Sequence, residues 1–341
     1  MRARELILAG PVALAIAAAG AGCGGASRSA HAHPGSQPAR TESTTAKPDV
    51  RSVGVANAGS LPAAVADPAV AALPDGRLAL LGGLDESGGS TAAITVLSGA
   101  AVARHDALPQ PQHDAEAAVL GSEVYVFGGG GVSSYAHIVR YDPATGAVSY
   151  AGELPAPASD VAVAAIGQTA YVVGGYDGSR WLDTILAWKP GSVPHVVARL
   201  PVGLRYAGVA AVDGRLIIAG GTTPNGLSDS ILSFDPATAA LTRLGRLPVR
   251  LAHTSAASIS GEVMIVGGRQ ASGGHTAAIL AIDPGSGAVR RVGELPQPLS
   301  DAAVTASGKR VVVLGGETSA GPQSSILAVT PRPADSGVSS P

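Results

Sequence analysis

The chain has 341 residues, a formal net charge of −2, 46 glycines and 25 prolines, with only 14% charged and 3% aromatic residues. With so little charge and no Lys/Arg-rich stretch, it carries no electrostatic footprint for a phosphate backbone, which excludes nucleic-acid binding. Abundant Gly and Pro around short runs of Val and Ile point to many short strands and tight turns rather than helices.

The N-terminus reads as an export signal over residues 1–22. Arg2 and Arg4 supply positive charge, an apolar run of 14 residues follows from Leu6 to Ala19, and Gly20, Ala21 and Gly22 lead into Cys23. The apolar run is short for a membrane span and is interrupted by Pro11. Cys23, the only cysteine, follows three small residues. This resembles a bacterial lipobox, in which the cysteine is acylated and becomes the new N-terminus. Gly20 stands where that pattern usually has an aliphatic residue, and cleavage by the ordinary signal peptidase is the alternative. The expectation is an exported protein anchored to the outer face of a bacterial membrane through Cys23. Removing residues 1–22 takes away two Arg and one Glu, so the mature charge becomes −2 − 1 = −3. An exported domain without a disulfide has to be held by its core and closure geometry alone.

Residues 23–49 are rich in Gly, Ser, Ala, Thr, Pro and His without an apolar period, and read as a flexible tether. His31 and His33 lie in it; two histidines in such a linker are usually inert.

Beyond the tether the chain repeats. Leu-Pro recurs at Leu61, Leu108, Leu154, Leu200, Leu247 and Leu295, at spacings of 47, 46, 46, 47 and 48 residues. About twenty residues after each comes an apolar strand ending in two glycines: RLALLGG (77–83), EVYVFGG (123–129), TAYVVGG (169–175), RLIIAGG (215–221), EVMIVGG (262–268) and RVVVLGG (310–316). A third segment follows, as in DTILAWKP (183–190), DSILSFDP (229–236), AAILAIDP (277–284) and SSILAVTP (324–331). A fourth, such as AVSYAGE (147–153) or AVRRVGE (288–294), leads into the next Leu-Pro. Four short strands per repeat make one propeller blade. The unbroken apolar character of the second strand fits a sheet buried on both faces between neighbouring blades.

The glycine doublet after an apolar strand, with Tyr141-Asp142-Pro143 and Phe234-Asp235-Pro236, resembles the kelch repeat over residues 61–331. Val148, Leu241 and Val289 stand where a kelch fourth strand often has Trp, which marks a divergent member. No Trp-Asp dipeptide ends a repeat, against the WD40 alternative. The expected fold is therefore all-β, a six-bladed kelch-type β-propeller over residues 50–333 with a short disordered tail at 334–341. The sixth repeat stops after its third strand, while VRSVGVANAGS (50–60) looks like an orphan fourth strand. The N-terminal strand is expected to complete the last blade and close the ring.

In kelch-like propellers the loop before the first strand and the loop after the glycine pair share one face, so the resemblance places functional residues there. Aligned on the glycine pair, one residue per repeat falls at the channel mouth: Asp67, Asp114, Asp160, Tyr206, His253 and Asp301, with His113 and Arg205 beside them. The second loops add Asp85, Tyr176, Asp177, Arg180, Trp181, Arg269, His275 and Glu317. Asp at a strand start has an ordinary role, capping a turn by accepting from nearby backbone N–H groups. A purely structural position gives no reason for the change to Tyr206 and His253 in adjacent blades. A ligand is therefore expected between blades four and five, bounded by Arg205, Tyr206, His253 and Arg269. Arg would hold a carboxylate, and Tyr or Trp would stack on a sugar.

Several chemistries are set aside. There is no G-x-x-x-x-G-K-[ST], G-x-S-x-G or H-E-x-x-H, and GAGCGG (20–25) matches a dinucleotide fingerprint only inside the export signal. Galactose oxidase, a copper enzyme on a kelch-type propeller, needs a cysteine crosslinked to a tyrosine, and this propeller contains no cysteine. No cofactor is expected. The leading function is a non-catalytic module, a monomer, that binds an envelope protein or glycan through the rim. The first alternative is a carbohydrate-processing isomerase similar to the bacterial sialic acid epimerases, with a rim carboxylate or His253 as acid or base. The second is divalent-cation binding by the rim aspartates.

Overall fold

A computed structural model describes residues 50–333. The expectations for the export signal, Cys23, the tether and the tail lie outside the described residues. Among the described residues there is no helix, and the strands make six four-stranded antiparallel sheets arranged as blades. Blade one is Ala69–Ala72, Leu78–Leu81, Ala93–Ser98 and Ala101–Ala107. Blade two is His113–Leu120, Glu123–Gly130, His137–Tyr141 and Val148–Glu153. Blade three is Ala162–Ile166, Thr169–Val173, Thr184–Trp188 and His195–Arg199. Blade four is Gly208–Val212, Arg215–Ala219, Ser230–Asp235 and Ala240–Arg246. Blade five is Ser255–Ile259, Glu262–Val266, Ala278–Ile282 and Val289–Glu294. Blade six takes Ala303–Ser307, Arg310–Leu314 and Gly321–Pro333 from the end of the chain and Val50–Val65 from its beginning.

That last pairing closes the ring as the orphan strand requires. Val55 lies opposite Val329 and Asn57 opposite Leu327, with an irregularity between Asn57 and Gly59. In every blade the first strand is one edge of the sheet, and the first strands of successive blades adjoin one another around the axis.

The core is divided among the six joints between blades. The second strands explain this, because alternate residues serve opposite neighbours. In blade four, Leu216 and Ile218 join the core shared with blade three, whereas Ile217 and Ala219 join the core shared with blade five. In blade two, Val124 and Val126 face blade one while Tyr125 and Phe127 face blade three. There Trp188 packs edge-on against both rings, at 4.9 and 5.4 Å. The six Leu of the regularly spaced Leu-Pro dipeptides are all at least 94% buried in these joints.

The glycine pairs follow from the same joints. The amide of the second glycine donates across each joint to a carbonyl of the next blade: Gly83 to Gln112, Gly129 to Ala158, Gly175 to Leu204, Gly221 to Leu251, Gly268 to Leu299 and Gly316 to Val65, all at 2.8 Å. The first glycine makes room for that carbonyl. A Cβ at Gly82, Gly128, Gly174, Gly220, Gly267 or Gly315 would lie 2.1 to 2.4 Å from the same oxygen. These six residues also have φ between 59° and 69°, where a side chain is strained.

Gly174→Ala combines both faults, with a contact of 2.1 Å to Leu204 O and φ 63°, and should cost about 3 kcal/mol or more. Gly178→Ala, with φ 95° and nothing within 4 Å, should cost only about 1–2 kcal/mol. Urea unfolding of the two variants beside the parent measures the gap. Deleting residues 50–60 should abolish the single cooperative transition rather than fray one end, because it opens the ring; a variant that unfolds as sharply as the parent would contradict closure as the source of cooperativity.

Candidate functional site

The two loop sets meet on one face, as the resemblance implied. Backbone bridges stitch the residue before each ring position to the residue after the glycine pair: Ala66 to Leu84, Ser159 to Tyr176, Arg205 to Thr222 and Ser300 to Glu317.

Asp67, Asp114, Asp160, Tyr206, His253 and Asp301 are brought together around the axis, all with φ between 51° and 57°. Five main-chain hydrogen bonds join them in a chain from Asp114 round to Asp67. Asp67 N donates to Asp301 O, Asp160 N to Asp114 O, Tyr206 N to Asp160 O, His253 N to Tyr206 O and Asp301 N to His253 O, at 2.9 to 3.2 Å. Asp and His tolerate this left-handed conformation better than most residues, which accounts for part of the pattern; Tyr does not. The expected capping role is corrected. Among the described residues, the hydrogen bonds and ion pairs made by these carboxylates go to other side chains, and five of the six backbones are already linked by their own N–H groups.

The side chains form two linked groups. In the first, Asp301 Oδ1 lies 2.6 Å from His253 Nδ1, and its Oδ2 accepts from Arg269 Nη2 at 2.7 Å and from Ser300 Oγ. Arg269 also pairs with Glu317, and His275 Nδ1 lies 2.9 Å from Ser300 Oγ. In the second, Arg205 pairs with Asp160, and its guanidinium lies over the rings of Tyr176, Trp181 and Tyr206 at 4.4, 5.2 and 5.0 Å. The groups meet where Tyr206 stacks on His253, with centroids 3.7 Å apart and planes 22° from parallel. Tyr206 Oη approaches Asp114 Oδ2 at 3.4 Å, and His113 Nε2 lies 3.5 Å from the same carboxylate.

The expected opening between blades four and five is thus closed by the Tyr206–His253 stack. Arg205 turns to a carboxylate of blade three and Arg269 to two of blade six, so both charges are matched within the protein. Three loop residues stay local. Asp85 accepts from Ser87 and Gly89, Asp177 accepts from Ser179 and Arg180, and Arg180, 79% exposed, turns back on Asp177.

Burial sets the protonation of the mouth. It raises Asp67 well above the usual carboxylate range, helped by the charges of Asp301 and Asp114. Asp114 is raised likewise by burial, then by Asp160, and Tyr206 by burial and by Asp114. At Asp301 the push of burial is outweighed by His253 and Arg269, which hold it down at about 2. Burial lowers His113. Carboxyls pushed in opposite directions therefore stand side by side. Donor atoms of Asp67, His253 and Asp301 come within 4.8 Å of one another and could share a metal ion, although both oxygens of Asp301 already have partners.

The mouth cavity is about 60 Å³ and shares Glu116, Ala207, Thr254 and Ser255 with a channel cavity of about 260 Å³. Glu116 is the functional candidate that the sequence reading missed. Two residues after the ring position the repeats carry Ala69, Glu116, Ala162, Gly208, Ser255 and Ala303, and extending the alignment by two residues would have exposed the odd one. Burial drives its carboxyl up to about 8.

A closed ring of six four-stranded blades defines a β-propeller. Residues 157–192 and 203–240 match the kelch motif, and with this ring they make the chain a kelch-repeat β-propeller. The solved structure of YjhT shares the fold, with a TM-score of 0.68 at 17% identity over 80% of this chain and 98% of that one. No curated protein matches the sequence.

Folded Glu116 keeps its proton up to about pH 8, whereas unfolded it titrates near its ordinary 4.5. The folded state binds more protons between these values, so stability falls as pH rises through that window. Glu116→Gln has no such loss and should gain on the parent by on the order of 4 kcal/mol between pH 5 and pH 8. Denaturant melts of both proteins across that range test this, and parallel curves would show Glu116 ionised throughout.

Proposed function

We propose that this propeller is exported, tethered at a membrane through Cys23, and binds a glycan on its channel-mouth face. The composition of the mouth carries this reading. Its two arginines are already matched by carboxylates, so it does not select an acid; Tyr176, Trp181 and Tyr206 stand beside carboxyl groups that donate and accept hydrogen bonds. Sugar rings offer apolar C–H faces to aromatic rings and hydroxyls to such groups. The mouth cavity of about 60 Å³ is far below the roughly 300–1,000 Å³ that encloses a whole small ligand. A ligand would lie across the face, which favours docking over enclosure. Tyr206 supports a functional role, since a bulky residue held at φ 52° costs about 1–2 kcal/mol that an Asp would largely avoid.

One observation favours a second reading, sugar isomerisation. His253 and Asp301 form a hydrogen-bonded pair at 2.6 Å next to Asp67, whose carboxyl is pushed up. A base and an acid within one mouth is the arrangement that proton transfer needs.

Thermal unfolding of the folded domain against neutral sugars, amino sugars and sugar acids tests both. Neutral oligosaccharides should raise the melting temperature, as any ligand of the folded state must. Trp181→Ala should weaken binding about tenfold, the loss of one stacked ring of about 1–1.5 kcal/mol, with little effect on the unliganded melt. Sugar acids should show no advantage over neutral sugars. Turnover of any sugar, lost in His253→Ala, would replace binding with isomerisation, and silence with every glycan would direct the search to envelope proteins.

A further inference from the structure

Below the mouth the channel changes character. Its wall is built from the first strands of the blades, through residues such as Val70, Ala164, Ala210, Ala257 and Thr305, and no lysine or arginine lines either cavity. Each of these strands is the inner edge of its sheet, so main-chain N–H and C=O groups on that side have no ladder partner and small side chains leave them reachable. Into this tube projects one acidic side chain, Glu116, which lines both cavities. Its hydrogen bond comes from the Ala117 amide, at 3.3 Å. The titratable groups facing it are those of the mouth: Asp67, Asp114, Asp160, Tyr206, His253 and Asp301.

We propose that the channel binds a slim organic cation, a primary alkylammonium, with its nitrogen on Glu116 and its chain against the alanine and valine wall. The geometry supplies each part. A carboxyl without a counter-charge lies in a cavity of about 260 Å³, carboxyl and hydroxyl oxygens line the mouth above it, and edge-strand carbonyls accept the remaining ammonium protons. A divalent ion would need six or more oxygen ligands, and below the mouth the wall offers one carboxylate. Binding is balanced by a proton: Glu116–COOH and R–NH₃⁺ give Glu116–COO⁻ paired to R–NH₃⁺, and one H⁺ passes to the buffer. The proposal does not depend on what the rim binds.

Titration calorimetry of the folded protein with 1,4-diaminobutane, 1,4-butanediol and CaCl₂ decides it. The diamine should bind and the diol should not. The binding enthalpy should change with the ionisation enthalpy of the buffer by the amount for close to one released proton at pH 6, and by less as pH approaches 8. Affinity should tighten by up to roughly tenfold per pH unit between pH 6 and pH 8. Glu116→Gln, and Glu116→Ala as a second variant, should weaken the diamine at least tenfold while Trp181→Ala leaves it unchanged. Equal binding by the diol, diamine binding without proton release, or unchanged affinity in both Glu116 variants would overturn the proposal. So would calcium binding through Glu116 with no response to the diamine.

Discussion

At each joint between blades a backbone carbonyl of one sheet enters the space where the preceding sheet would carry a Cβ, and the next amide closes a 2.8 Å hydrogen bond onto it. Each joint takes its angle from this contact. It fixes how far each blade is rotated from its neighbour, and only a uniform rotation lets the sixth blade meet the first. The apolar residues fill the joints, but packing is non-directional and tolerates many arrangements. The glycine contact tolerates one. Repeating it six times turns a local steric rule into a closed ring, and the pairing of Val50–Val65 with Gly321–Pro333 completes the last blade.

The carbonyl that enters each joint lies two residues before the ring position, so the mouth is positioned by the same contact. Asp67, Asp114, Asp160, Tyr206, His253 and Asp301 share one backbone conformation because they occupy one place in six equivalent joints. With five main-chain bonds linking them, their side chains answer to each other. Like charges brought together in a poorly hydrated mouth have two ways to relax: some carboxyls keep their protons, or cations are recruited. Both occur here. Asp67 and Asp114 are pushed toward the neutral form, whereas Asp160 and Asp301 are paired with Arg205 and Arg269 from the residue just before a ring position or just after a glycine pair.

The sequence was most legible where the physics is local and repeated. Leu-Pro, the glycine pair and the doubly apolar second strand each have one cause that recurs in every blade, so period revealed blade number and strand order, and the kelch resemblance added which loops hold the six mouth positions. The orphan strand at 50–60 was legible because an incomplete last repeat needs a partner. What was not legible was pairing. Arg205 and Arg269 read as ligand-gripping charges because nothing in one dimension shows that blade three offers Asp160 and blade six offers Asp301. The Tyr206–His253 stack was hidden for the same reason, since residues 47 apart meet only after closure. Glu116 lies outside the loops that the resemblance singles out: the one acidic residue of the channel wall sits inside a strand, where the repeat pattern shows only core and edge positions.

This division also bears on how such a ring acquires specificity. A substitution at a ring position changes a side chain at the axis without disturbing the main-chain bonds, provided the backbone conformation is tolerated. Aspartate is the low-strain choice there, and four blades retain it. The two departures adjoin each other, and the two arginines flank them on the outer sides, one bonded to the blade before and one to the blade after. The asymmetry of the mouth is therefore a single contiguous feature of blades three to six. Blades one and two contribute carboxyls to its edge, and blade two adds Glu116 to the channel beneath. A six-fold scaffold thus carries one chemically distinct side, and the energetic cost of that side, a strained Tyr206 and several carboxyls out of water, is borne by joints that hold the backbone whatever the side chain.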